Sequence, residues 1–370
     1  MPEDMVGRPV NDLDTPALVV DRRILQHNIA HMQAAADAAG LELRPHIKAH
    51  KTPVIAQMQV AAGAAGVTAA KVSEAEAMAE GGVADIFIAN EVVGDAKVRR
   101  MAALAQRVRL SAVVDSREVA EGYGRLFAAE GLTLDVLLEV DQGAHRCGVP
   151  PAEAPALAAQ VASVPGVALV GVMAYAGSAY QAGSCEGMRR AAAEEAAGLA
   201  HVAATLAAAG HTMRRVSGGC TPTGPLYERG CGLTEIRSGT YVFYDMNQVD
   251  LGVACVADVA ATILATVISV PAPDRVILDA GSKALATQVT PVSPGCGWVQ
   301  EDLGAVVVKL NDEHGYLDVR RARRPYRVGD KVQVVPPRIC TALNLYDELY
   351  LWQDGVVVER CDVTARGCSQ

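Results

Sequence analysis

Two kinds of group in this sequence could do chemistry together: an amine at the end of an apolar run, and small-residue turns able to hold an anion. The amine is Lys48, in RPHIKAHK. A lysine at a strand end, partly desolvated and beside other cations, has its pKa lowered and can attack a carbonyl to form a Schiff base. Lys51 is the rival, but it stands just before Pro53 and reads as the start of the following helix. His46 and His50 read as hydrogen-bonding or structural groups rather than as a metal pair. The anion turns are Ser217-Gly218-Gly219-Cys220-Thr221 and Ser238-Gly239-Thr240. Glycine lets the backbone come close to an anion, and successive N–H groups with hydroxyls form a nest for it. The first turn alone is as well explained by a tight bend; the pair favours a phosphate. Asp141, Arg146 and Tyr175 complete the set, each close behind a β-rich run.

Such residues need a scaffold that gathers strand ends. Candidate strands run over 41–48, 66–71, 85–90, 109–115, 134–140, 168–175, 214–219 and 235–243. Ala-rich helical stretches lie between most of them, at 53–63, 95–106, 117–129, 153–162 and 186–209. This alternation predicts an α/β architecture, a (β/α)8 TIM-type barrel, whose reactive groups collect at the C-terminal ends of the strands. Lys48 then closes the first strand, Asp141 and Arg146 follow the fifth, and Tyr175 ends the sixth. The two small-residue turns fall on the seventh and eighth strands, the usual phosphate corner of such barrels. A doubly wound open sheet is the alternative, since alternation does not show closure. No GxGxxG follows the first strand, which weakens it.

After about residue 250 the pattern changes to strand-like runs separated by Pro, Gly and Asp, such as DRVILDAG, DKVQVVPP and ELYLWQDGVVVERCDV. The expected division is a barrel over 15–250 and a mainly antiparallel β domain over 251–370, which residues 1–21 could also join. A 51% apolar composition supplies a large core, and 4% aromatics suit a helix-rich α/β protein. The formal net charge of −9 argues against nucleic acid. No apolar run approaches a membrane span, and the N-terminus lacks the apolar stretch of a signal peptide. Nine cysteines without a CxxC pair read as reduced thiols, and the expected location is cytoplasmic.

The stretches NDLDTPALVVDRRILQHNI and RPHIKAHKTP, continued by EVDQGAHRCGV, AYAGS, VSGGCTPTGP, EIRSGTYVFYDMNQ, DAGSKAL, NDEHG and NLYDELY, carry a likeness over nearly the whole chain. They resemble the D-threonine aldolase and D-serine dehydratase group of fold-type III pyridoxal-phosphate enzymes, in which an alanine-racemase-like barrel precedes a β domain. The resemblance implies pyridoxal 5'-phosphate on Lys48. It implies a phosphate held by Ser217, Gly219, Thr221, Gly239 and Thr240, with Gly218 and Tyr241 also against the cofactor. Arg146 and Tyr175 would lie near the cofactor ring and substrate. It also implies a homodimer in which one subunit's β domain helps cover the other's barrel mouth.

Two departures stand out. The family's C-terminal His-x-Cys or His-x-Asp motif holds a divalent metal, but the matching residues here are Arg338-Ile339-Cys340. A guanidinium stays protonated and has no lone pair to donate, so the expectation is no metal at this position, with only Cys340 left as a ligand. The alternative is a metal moved to other residues, such as His314 or Asp347. Secondly, Ala176 follows the strand-six tyrosine where many relatives carry histidine.

The expected activity is a pyridoxal-phosphate lyase acting on a D-configured β-hydroxy amino acid, by aldol cleavage or dehydration. Lys48, Tyr175, Arg146 and Arg338 are the candidate catalytic residues, Arg338 pairing with a substrate carboxylate or developing oxyanion. An amino-acid racemase or epimerase is one alternative, with Lys48 on one face and a tyrosine or cysteine on the other. A non-catalytic cofactor carrier is another, against which the retained DEHG and NLYDELY segments speak.

Overall fold

A computed structural model describes residues 5–175, 177–287, 290 and 292–370. The chain begins with β1 (Ala17–Asp21) and α1 (Arg22–Ala39), followed by β2 (Glu42–Leu43), α2 (Pro53–Ala61), β3 (Val67–Ala69) and α3 (Val72–Glu80). Next come β4 (Asp85–Ile88), α4 (Asp95–Ala105), β5 (Arg109–Val114), α5 (Arg117–Ala129), β6 (Leu134–Glu139) and α6 (Ala154–Ala162). The alternation ends with β7 (Val167–Met173), α7 (Cys185–Ala208), β8 (Arg215–Gly218) and β9 (Glu235–Ile236). Two compact units emerge, one of residues 30–48, 52–239 and 367–370, the other of 1–29, 49–51 and 240–366.

In the first unit, eight parallel strands pair in the order β2-β9-β8-β7-β6-β5-β4-β3 among the described residues. The two ends of that order meet. His46 bridges Thr68 in parallel register, and the Thr68 N–H donates to Pro45 O at 2.8 Å. The sheet is therefore closed into a (β/α)8 barrel, as the alternation led one to expect. Phe87, Val113, Leu137, Val170 and Met173 point inward from neighbouring strands and fill its core. On the outside, α5 buries Val119, Ala120, Tyr123 and Phe127, the spacing of one helical face.

The first and last barrel strands are shorter than their sequence runs suggested. Regular pairing in 41–48 covers only Glu42–Leu43, and the chain then turns through a single 3-10 turn, Ile47–Ala49. Pro45 has no N–H to continue a ladder, which ends the strand and lifts Lys48 out of it. Similarly, 235–243 gives a strand at Glu235–Ile236 and a 3-10 turn at Thr240–Val242.

The second unit adds α8 (Met246–Asp250), β10 (Ala261–Ala272), β11 (Arg275–Leu278), α9 (Ser282–Leu285), β12 (Gly297–Val299), β13 (Asp302–Leu310) and β14 (Gly315–Asp318). It finishes with β15 (Lys331–Val335), α10 (Ile339–Leu343), β16 (Glu348–Gln353) and β17 (Val356–Asp362). Its sheet runs β11-β14-β13-β12-β15-β10-β1-β16-β17, and a further β10–β11 pairing closes the first six strands into a barrel. All neighbours are antiparallel except β1 and β16. β1 joins this sheet, packing Ala17 and Val19 with Val10, Leu13, Leu264, Tyr350 and Val357. No helix among the described residues is long and apolar enough to cross a membrane.

Candidate active site

The C-terminal ends of the barrel strands converge around Lys48. Its half-buried side chain places Nζ 5.9 Å from the centre of the Tyr175 ring. The Arg146 guanidinium lies over the same ring at 5.0 Å. Two cations thus lie against one aromatic ring, whose negative quadrupole favours them. Lys51, the sequence rival, has a different setting: it belongs to the second unit, where its Nζ is 3.4 Å from Ala365 O of that same unit.

Both small-residue turns are tied to the lysine segment. The His46 N–H donates to Ser238 O at 3.0 Å, and the Gly239 N–H donates to Thr221 Oγ1 at 3.3 Å. A Cβ on residue 239 would sit 3.0 Å from His46 O, so glycine is what lets these segments close up. Gly219 has φ +79°, a left-handed conformation that favours glycine. Several donors proposed for a phosphate are already engaged. The Gly219 N–H donates to the Glu195 carboxylate at 3.1 and 3.2 Å, and the Cys220 N–H to Thr223 Oγ1 at 3.0 Å. Ser217 Oγ donates to Glu235 at 2.5 Å and accepts from Arg237. Burial pushes the Cys220 thiol up to about 12, with the Glu195 charge adding to the rise and the Lys48 charge opposing it.

Sequence reasoning passed over the charged layer beneath these turns. Arg237 is buried and donates to Ser217 Oγ and, at 2.5 Å, to the carbonyl of Ala174, just before Tyr175. Glu235, fully buried, joins Arg215 and Arg44. Arg237 stood inside the EIRSGTY segment, yet nothing local marks a guanidinium as turned inward. At the end of β6, buried Glu139 lies 3.9 Å from Arg146 Nη2. Burial, then the negative charge of Glu91, raises its carboxyl pKa, against the pull of Arg146 and Arg237. Asp141 shapes the adjoining loop by accepting the N–H groups of Gly143 and His145 at 2.9 and 3.0 Å.

The remaining candidates belong to the second unit. Thr240 Oγ1 lies 3.8 Å from Cys340 Sγ, and Tyr241 is buried. Arg338 stands at the N-cap of α10, where buried Asp245 accepts the Ile339 N–H at 3.1 Å. Burial raises the Asp245 carboxyl to about 6, and the Arg338 charge is the first force opposing that rise. Ala176 lies outside the described residues.

The family's divalent metal does not fit the Arg338–Cys340 pair, since one member cannot ligate. His314 and Asp347 form no ligand cluster either, Asp347 being paired with Arg366. Among the described residues, the one group that brings three ligand atoms within 4.8 Å of one another is Glu91, Asp115 and Cys147, at the ends of β4 to β6. Pyridoxal phosphate does fit its residues: an amine for its aldehyde, an aromatic ring and one further cation, Arg146, close to that amine, and two glycine turns joined by the Thr221 hydroxyl.

The alanine racemase N-terminal domain family matches residues 20–247, and the putative serine dehydratase domain family matches 260–352. The chain belongs to the D-threonine aldolase and D-serine dehydratase-like family of fold-type III pyridoxal-phosphate enzymes. Within that family, a D-threonine aldolase from Arthrobacter sp. is 36% identical, over 100% of this chain and 97% of its own. The D-threo-3-hydroxyaspartate dehydratase of Delftia sp. is 36% identical over 89% of this chain and 91% of its own. The crystal structure of D-threonine aldolase from Filomicrobium marinum superposes with a TM-score of 0.90 at 31% identity, covering 99% of this chain and 100% of that one.

Proposed function

We propose that this chain is a pyridoxal-phosphate lyase that acts on a D-configured β-hydroxy amino acid, by aldol cleavage or dehydration, with Arg338 standing in for the family's metal. The observation that carries this reading is Lys48 beside Tyr175 and Arg146, joined through His46 to two glycine turns. The names of its relatives, an aldolase for D-threonine and a dehydratase for D-threo-3-hydroxyaspartate, favour that substrate class.

When bound, the cofactor withdraws electrons from the substrate carbon that carries the amine. Lys48 would hold the aldehyde through its amine. Thr221 and the Thr240–Tyr241 segment would take the phosphate, while Gly218, Gly219 and Gly239 let the turns pack closely against their neighbours. Ser217 acts one step back, fixing Arg237. Tyr175, whose ring lies by Lys48, carries a hydroxyl able to give or take a proton. Arg146 keeps that ring in place by stacking on it. Arg338 presents a fixed positive charge to the substrate carboxylate or β-oxygen, and Asp245 balances that charge. We expect the active form to be a two-fold homodimer, which sedimentation at micromolar concentration checks.

Product analysis of the purified holoenzyme against D- and L-β-hydroxy amino acids, with and without chelator, tests the reading. Glycine plus an aldehyde identifies cleavage, and a 2-oxo acid plus ammonia identifies dehydration. Inversion at Cα with no bond cleavage would transfer the chain to the racemases, and no turnover of any D-substrate would remove the lyase reading.

A further inference from the structure

Behind the first glycine turn lies a buried carboxylate that no catalytic step uses. Glu195, on α7, accepts the Gly219 N–H through both oxygens, at 3.1 and 3.2 Å, and the hydroxyl of buried Tyr227. Tyr227 Oη is also 3.1 Å from Thr223 Oγ1, which in turn accepts the Cys220 N–H at 3.0 Å. A Cβ on residue 218 would press on Leu233 and Leu199, at 3.2 and 3.3 Å, so glycine lets the turn pack closely there.

The consequence concerns one peptide group. The peptide between Gly218 and Gly219 has its N–H held by Glu195 and its carbonyl held by the Arg237 N–H at 3.0 Å. Two successive glycines would otherwise leave that plane free to rotate, since neither has a Cβ to limit it. Pinning it fixes where the next residues go, and Thr223 holds Cys220 by the same chain of hydrogen bonds. Thr221 is the residue delivered, and its hydroxyl links to Gly239 on the second turn.

We propose that Glu195 is a positioning residue for cofactor recognition: through Tyr227 and Thr223 it sets the 217–221 turn to receive the phosphate of pyridoxal phosphate. This rests on the reading of that turn as the phosphate site. Glu195 touches the turn from behind and acts only through it. Its removal weakens recognition of the phosphate and leaves attachment of the aldehyde at Lys48 unchanged.

The test compares pyridoxal phosphate with pyridoxal, which carries the same aldehyde and no phosphate, each titrated into cofactor-stripped full-length protein and followed by visible absorbance. The quantity read is the ratio of the two dissociation constants. In Glu195→Leu the preference for the phosphorylated form falls about tenfold or more, because a charge-assisted acceptor is lost. Pyridoxal itself binds within about twofold of the parent protein. Glu195→Gln keeps an acceptor for the Gly219 N–H and retains most of the preference. Tyr227→Phe, which keeps the ring, loses about threefold and serves if the leucine variant does not fold. An unchanged ratio in the folded leucine variant, or in Tyr227→Phe when the former is insoluble, overturns the proposal. So does an equal loss for both ligands, the mark of general damage to the barrel. A parent protein that binds the two ligands equally refutes the phosphate site itself, and that outcome is seen before any variant is made.

Discussion

Replacing Glu235 by glutamine should destabilise the barrel by several kcal/mol at neutral pH, and the deficit should shrink in acid. The carboxylate of Glu235 takes two hydrogen bonds from Arg215, at 2.8 and 3.1 Å, one from Arg44 at 3.1 Å and one from Ser217 at 2.5 Å. Burial alone would raise its pKa. The charges of Arg215 and Arg44, with hydrogen bonds from Arg215 and Ser217, outweigh burial and bring it from 4.5 down to about 2. That gap corresponds to about 3 kcal/mol of folding stability. Glutamine keeps the volume but takes the Glu235 charge from half-buried Arg215 and from buried Arg44, which still has Asp85; breaking a buried pair costs about 3–5 kcal/mol. Because the folded pKa is depressed, the contribution is complete above pH 4.5 and is lost as pH falls towards about 2. By about pH 3 the difference between parent and variant should have fallen by about 2 kcal/mol. Urea unfolding followed by far-ultraviolet circular dichroism is the assay. Both tryptophans, Trp298 and Trp352, lie in the other unit, so fluorescence is the wrong probe for the barrel. A difference under about 1 kcal/mol at neutral pH, or one that does not change with pH, would show that Glu235 does not balance those arginines.

Borohydride treatment of the holoenzyme should fix the pyridoxyl group on Lys48, and finding it by mass spectrometry on Lys51, whose amine faces Ala365 O, would refute the assignment. Gly239→Val should weaken cofactor binding by about tenfold or more, because its Cβ would press on His46 O; unchanged occupancy would remove that turn from the site. Arg338→Ala should lower turnover by about a hundredfold, while exhaustive chelation leaves the parent enzyme active. Activity lost on chelation and restored by manganese or zinc would point instead to a bound ion, and Glu91→Gln or Asp115→Asn would then tell whether their cluster with Cys147 holds it.

The alternation of strands and helices, the change to a β domain and the residue types at the strand ends are all readable from the chain without its fold. These are local signals: periodicity and turn chemistry are written in neighbouring residues. The preference for Lys48 over Lys51, drawn from Pro53 and the strand before it, rests on the same local signals and is what the borohydride experiment tests. Closure is visible only in three dimensions, because the His46–Thr68 bridge joins the two ends of the strand order and no run of residues announces it. Packing likewise decided that β1 belongs to the second sheet, since an apolar strand pairs with whichever edge will accept it. The direction of individual donors was beyond the sequence too. The glycines of SGGCT were read as phosphate donors, yet the Gly219 N–H points at Glu195, which lies 24 residues away on another element. Arg44 and Glu235 meet across 191 residues, and a charge can be buried only where folding brings its partner. Local sequence thus set which groups were available, and long-range packing set where each one points.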